Sequence, residues 1–153
     1  MSIDDILDLT PDKILLIEDH EERLQAIMLI LLIKASTIER NIYEIEKLEK
    51  VFLETIDEID DNKVKVESIR GFASLEGADI DRLTTIFLKS ARKIEDPVVR
   101  AYELFWFLRD AHNVAPWPII AEIKKILKEI NDVEIKKEYV EFVNQVIRSK
   151  FKR

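Results

Sequence analysis

The amino-acid sequence predicts an all-α protein, a single-domain helical bundle of about seven helices without a sheet. The chain has 153 residues, enough for one domain with a core, and 47% of them are hydrophobic. It contains only two glycines and four prolines, and no Asn-Gly or Asp-Gly dipeptide. Because sheets need many tight turns built from such residues, few turns and many helices are expected.

Capping residues predict where several helices begin. Thr10 before Pro11 is typical of the start of a short helix over 11–18. Asp19 with Glu22 three residues later resembles a capping box. Further helix starts are expected at three aspartates: Asp79, Asp96 and Asp132.

Two predicted ends lie in the second half of the chain. Gly77 is expected to cap a helix over 64–75, since glycine readily adopts the left-handed conformation found there. The segment 116–118, Pro-Trp-Pro, is expected to form a turn that holds a tryptophan ring rigidly. A soft boundary is expected at 61–63, and residues 1–9 could form a loose arm.

Two apolar patterns mark the first half of the chain. Residues 26–33 are apolar all round, which predicts a helix buried at the centre of the bundle. The following stripe repeats every seven residues, at Ile38, Ile45, Phe52 and Ile59. That stripe could pair within the chain or form a homodimer through 38–59, and 20–61 could be one long rod or two helices.

Composition excludes several kinds of chemistry. The chain has no cysteine and only two histidines, so thiolate metal sites, disulfides and most histidine-based sites are not expected. Two isolated glycines cannot build a phosphate-binding loop. We therefore predict no catalytic residue, no metal and no cofactor.

Charge and hydropathy indicate where the protein works. The longest apolar run has eight residues, too short to span a bilayer, and the first residues are acidic rather than basic. These features predict a cytoplasmic protein without a membrane partner, and the abundance of Ile, Lys and Glu suggests a thermophile. The net charge is −7, with −11 in residues 1–61 and +4 in 62–153. Overall acidity argues against non-specific coating of nucleic acid but leaves a local basic site open.

A basic stripe in the second half is the first candidate site. Arg82 and Lys89 are seven residues apart and share a helix face, and Arg92 and Lys93 extend it. Arg70 and Arg100 are expected on the flanking helices. Such a face suits a nucleotide or single-stranded nucleic acid. The alternative is an ordinary solvated face paired with three acids: Glu95, Asp96 and Glu103.

Aromatic residues form the second candidate site. Five large rings fall within 16 residues, more than one inward helix face requires. Trp106, Phe107 and Trp117 are therefore candidate contacts for a partner protein, since exposed aromatic rings often anchor such interfaces. The alternative is that the rings only cover the end of the bundle.

Residues 68–94 resemble a known family. Ser68-Ile69-Arg70, followed by the run from Asp79 to Arg92 (DIDRLTTIFLKSAR), is similar to part of the helical C-terminal domain of archaeal and eukaryotic primase large subunits. This chain lacks that family's iron–sulfur cysteines, so the likeness implies the iron–sulfur-free accessory primase subunit of some archaea. The resemblance implies nucleotide contacts at four residues: Arg70, Arg82, Lys89 and Arg92.

The sequence as a whole predicts a non-catalytic helical subunit that binds one or more proteins in a larger intracellular assembly. A DNA-replication or primase-type complex is the expected setting. The alternative is a stand-alone module that binds a nucleotide or single-stranded nucleic acid through the basic face around Arg82 and Lys89.

Overall fold

The computed structural model describes residues 2, 4–5, 8–38 and 42–151, without the side chains of 34–38 and 42. This part of the chain forms eight α-helices and a closing π-helical turn and contains no strand, which confirms the predicted all-α bundle. None of its helices is both long and apolar enough to cross a membrane. The helices are α1 Pro11–Leu15, α2 His20–Ile38, α3 Ile42–Asp57, α4 Asn62–Ala73, α5 Ile80–Ala91, α6 Pro97–Asp110, α7 Pro116–Leu127 and α8 Val133–Val146, and the π-helical turn is Ile147–Phe151.

The helix starts follow the predicted caps. The Asp96 carboxylate accepts a hydrogen bond from the Val98 N–H at 2.8 Å, directly before Pro97. Asp132 caps α8 in the same way, and Asp79 caps α5. Each carboxylate satisfies an N–H group that the first helical turn would otherwise leave without an acceptor.

Two predicted helix ends were wrong. Helix α1 ends at Leu15 rather than at 18. Helix α4 ends at Ala73, because the Leu75 N–H bonds to the Phe72 carbonyl three residues back instead of continuing the α-helical pattern, and the Ser74 hydroxyl donates to the Gly71 carbonyl. Gly77 is therefore not the cap, although its φ of 94° does need glycine in the loop that follows.

The predicted turn at 116–118 is instead the first turn of α7. Pro116 and Pro118 lack an N–H group, and the first four N–H groups of a helix have no partner within the helix. The prolines therefore cost α7 no hydrogen bond. Trp117 lies on the outside of this turn, with 70% of its surface exposed.

Two phenylalanine pairs lie at the centre of the core. The rings of Phe52 and Phe72 stack with centroids 4.7 Å apart and join α3 to α4. The rings of Phe87 and Phe107 stack at 4.0 Å and join α5 to α6. All four side chains are fully buried in one continuous apolar cluster.

The period-seven stripe packs within the chain. Ile45, Phe52 and Ile59 are all buried in a single copy. For the part of the stripe whose side chains are described, this burial favours pairing within the chain over a homodimer through 38–59, which would have to expose these core residues. The side chains of Ile38 and Ile42 lie outside the described part, as do residues 39–41, which decide whether 20–61 is one rod. The predicted arm over 1–9 lies partly outside it too.

Helix α8 runs parallel to α6, and hydrogen bonds near the two ends of α6 join the two segments. The Tyr139 hydroxyl donates to the Val98 carbonyl at 3.0 Å, near the start of α6. At the other end the Lys150 ammonium donates to the carbonyls of Leu108, Arg109 and Ala111. Burial lowers the pKa of Lys150. These contacts set the spacing between the two helices along their length.

The two kinds of aromatic residue predict opposite mutational effects. Phe107→Ala should lower the free energy of unfolding by about 3–5 kcal/mol, because it removes a stacked ring from the closed core. Trp117→Ala should change it by less than about 0.5 kcal/mol, because that ring is mostly in solvent. Urea denaturation of both variants measures the difference, and equal losses would contradict the burial described here.

Candidate functional site

Four basic side chains surround one cleft between α4 and α5. Lys65 comes from α4, Arg82 and Lys89 from α5, and Lys93 from the turn after α5. The cavity has a volume of about 310 Å³, and we call it the basic cleft. Its remaining lining is mostly apolar: Leu53, Ile56, Asp57, Ile69, Ile86 and Ser90.

The sequence brings these bases together in two ways. Residues 82 and 89 are two helical turns apart, and 93 follows one turn later, so these three lie on one side of α5. Helices α4 and α5 pack against each other along their lengths, which places Lys65 on the facing wall. The first three are local in sequence, and Lys65 joins only through tertiary packing.

The basic cleft keeps its positive charge. Within 42–151, none of its four bases forms a salt bridge. Asp57 is the one carboxylate in the lining. A second carboxylate, Glu49, lies near Arg82: burial raises the pKa of Glu49, and the Arg82 charge acts in the opposite direction. The cleft can therefore hold an anion such as a phosphate group, which lysine and arginine recognise well.

Arg70 was predicted to belong to this face, but it is engaged elsewhere. Its guanidinium lies 3.0 Å from the Glu103 carboxylate, which is only 2% exposed. Burial raises the pKa of Glu103, and Arg70 partly offsets that effect. Because a buried carboxylate needs a counter-charge, Arg70 has a structural task that a nucleotide contact would disrupt.

Arg92 and Arg100 are also paired within the chain. Arg92 donates from two nitrogens to the Glu122 carboxylate of α7, at 3.1 and 2.6 Å. Arg100 donates to Glu129 at 2.8 Å. The two residues of each pair are about thirty positions apart in the sequence, so both pairs depend on how the helices pack. Of the six predicted bases, the structure places three around the open cleft: Arg82, Lys89 and Lys93.

The three predicted interface aromatics lie in three different environments. Phe107 is fully buried against Phe87, so its assignment to an interface was wrong. Trp117 is 70% exposed, so its ring is open to a partner. Trp106 is partly buried beneath the guanidinium of Arg109, which lies 3.6 Å from its ring centroid.

Helix α2 departs from its predicted burial. Ile27, Ile30 and Leu31 are buried as expected. The opposite side exposes Leu29, Leu32 and Ile33, and Leu32 is 81% exposed. The described residues therefore do not enclose 26–33 on all sides.

The sequence predicted that these three residues belong to the core, because residues 26–33 are apolar on every side of the helix. The pattern indicates that every face of α2 is apolar, and it does not say whether this chain or another covers each face.

Comparisons with known proteins leave the family open. No protein-family model, no curated protein and no solved structure matches this chain. Within the described residues, no group of three or more His, Cys, Asp or Glu side chains is arranged to hold a metal ion. The resemblance of residues 68–94 to primase large subunits stays a prediction.

The Arg70–Glu103 pair predicts a pH-dependent effect. Arg70→Met should lower the free energy of unfolding by about 3–5 kcal/mol at neutral pH, because it leaves a buried carboxylate unpaired. Burial raises the folded-state pKa of Glu103, so the folded protein binds the proton of this carboxyl more tightly than the unfolded chain does. The stability that this proton contributes falls as pH rises and the carboxyl ionises. The deficit of the variant should therefore shrink as pH falls toward the ordinary glutamate value of 4.5.

The control for this experiment is Glu103→Gln combined with Arg70→Met. With no titrating carboxyl at that position, its stability relative to Glu103→Gln alone should not vary over the same pH range. Urea denaturation across a pH series provides the measurement. An Arg70→Met deficit that stays constant with pH would show that Glu103 does not depend on Arg70.

Proposed function

We propose that this chain is a non-catalytic helical subunit that binds another protein in a larger assembly. One observation carries the proposal: α2 packs one side into the core and exposes Leu29, Leu32 and Ile33 on the other. A cavity of about 320 Å³ lies beside this face, between α2 and Ile17. Exposed apolar side chains on one helix face are typical of a protein-binding surface.

The charge around this face favours a different protein over a second copy. Glu18, Asp19, Glu21 and Glu22 are exposed at the start of α2. The nearby Arg23 is directed back onto the carbonyls of Leu15 and Ile17. Residues 1–61 carry a net charge of −11, so two copies meeting through this half would repel each other. The partner we propose has an apolar strip bordered by lysine and arginine.

The assembly we propose handles nucleic acid and is of the DNA-replication or primase type. Two features support this setting. One is the resemblance of residues 68–94 to the primase large subunit. The other is the basic cleft, which brings together four basic side chains that form no salt bridge within the described residues, in an otherwise acidic protein.

The α2 face is tested by one substitution with a matched control. Leu32→Glu should weaken binding of the purified partner, identified by cross-linking in the native lysate, at least tenfold. Val133→Glu on α8, where the parent residue is 61% exposed, should leave it unchanged. Added salt should weaken the parent's binding, because the proposed rims are oppositely charged.

Titration calorimetry measures these affinities. Equal affinity of Leu32→Glu and the parent would contradict the proposal. So would a homodimer of the isolated parent that Leu32→Glu converts to monomer.

A second candidate function rests on the basic cleft alone. In this alternative the chain itself binds a nucleotide or single-stranded nucleic acid, with Arg82 and Lys89 on its phosphates. The absence of salt bridges at these two residues within 42–151 favours this candidate over the solvated-face alternative. It is compatible with a role as a subunit.

This candidate predicts salt-dependent binding of fluorescein-labelled oligothymidylate. Arg82→Ala with Lys89→Ala should weaken binding at least tenfold and reduce the slope of log Kd against log salt by about 1.4, since about 0.7 counterion is released per phosphate contact. The matched control is Lys124→Ala with Lys128→Ala. It removes the same amount of positive charge at a place outside the cleft, on α7 and directly after it. An equal loss in both pairs, or no binding by the parent at low salt, would contradict a site in the cleft.

A further inference from the structure

An apolar groove runs between α6 and α8 and shares no residue with the basic cleft or with the exposed face of α2. Its cavity volume is about 530 Å³. Within it the ring centroids of Phe105 and Phe142 lie 4.9 Å apart, and 45% of the surface of Phe142 is exposed. We call it the aromatic groove because five rings line it: Tyr102, Phe105, Trp106, Tyr139 and Phe142.

The aromatic groove is long and narrow. Its lining follows α8 and the π-helical turn from Ile135 to Ser149, which is about 21 Å at roughly 1.5 Å per residue. Spread over that length, its volume corresponds to a cross-section of about 25 Å², enough for a single row of side chains. A helix presents such a row, with neighbours three or four residues apart and about 5–6 Å from each other.

The two ends of the groove carry opposite charges. Glu138 lines the end near the amino termini of α6 and α8, and Arg109 lines the end near their carboxyl termini. Arg109 lies over the Trp106 ring and forms a salt bridge with Asp110, whose carboxylate accepts from its Nε at 2.8 Å and offsets part of its charge. Its two terminal guanidinium nitrogens form no salt bridge within the described residues, so they can still donate to an acid. A helix running antiparallel to α6 and α8 would place acids of its first turn near Arg109 and bases of its last turn near Glu138. Those positions also suit the dipole of the bound helix.

From its length, its polarity and its open rings, we propose that the aromatic groove binds one amphipathic helix of a partner protein. The helix lies antiparallel to α6 and α8, with acids in its first turn and bases in its last turn. This surface is additional to the face of α2, so the subunit has two separate places to hold other chains.

Two synthetic peptides of identical composition test the proposal. Both have about four turns and place Leu or Phe at four positions on one face. One carries Glu in its first turn and Lys in its last turn, and the other has these charges exchanged. In a Trp117→Phe background, Trp106 is the only tryptophan, so its emission reports binding in the groove. The first peptide should bind at least tenfold more tightly than the second.

Substitutions then locate the site. Phe142→Glu should weaken the first peptide at least tenfold, and Tyr102→Glu serves the same purpose if Phe142→Glu does not fold. Val140→Glu is the matched control, because Val140 is similarly exposed on the same helix but does not line the groove. Exchanging the end charges with Arg109→Glu and Glu138→Arg should reverse the preference between the peptides.

Three results would overturn the proposal. The first is that neither peptide binds, and the second is that both bind equally in every variant. The third is self-association of the parent in sedimentation that Phe142→Glu abolishes, because a second copy of this chain would then be the occupant.

Discussion

Helix α6 packs against α4, α5, α7 and α8, and a charged residue lies within those contacts. Glu103 is almost fully buried, and an isolated carboxylate there would be strongly unfavourable. Its salt bridge to Arg70 requires α4 to lie beside α6 in one orientation, and the Phe87–Phe107 stack then fixes α5. Both the basic cleft, held by α4 and α5, and the aromatic groove, with α6 as one wall, depend on this arrangement. A wholly apolar contact would allow more sliding between the helices than a directional ion pair does.

The features that could be predicted from the sequence are those that depend on neighbouring residues. Asp96 and Asp132 cap helices because their carboxylates reach N–H groups two or three residues away. The charge pairs could not be predicted in the same way. Arg92 and Glu122 belong to different helices, and their meeting depends on how α5, α6 and α7 pack. Lys65 joins the basic cleft for the same reason.

Helix α2 shows a different limit. Its sequence is apolar on every side, and an apolar face can be covered by the same chain or by another. Periodicity measures how apolar a face is and carries no information on which molecule covers it. Only the positions of the other helices separate Ile27 and Ile30, which they cover, from Leu29 and Leu32, which they leave open. The aromatic run of α6 has the same ambiguity, because Phe107 and Trp106 are adjacent in sequence but face different surroundings.

The hydrogen bonds of Tyr139 and Lys150 to α6 affect how the groove beside α8 would bind a partner. Tyr139 and the Lys150 ammonium hold α8 to opposite ends of α6, so the width of the groove is set before any partner arrives. A receptor of this kind is preorganised: it loses little conformational entropy on association, and most of the ordering cost falls on the incoming segment. Differences in affinity between partner helices should then arise mainly from their own helix propensity and from their rate of dissociation.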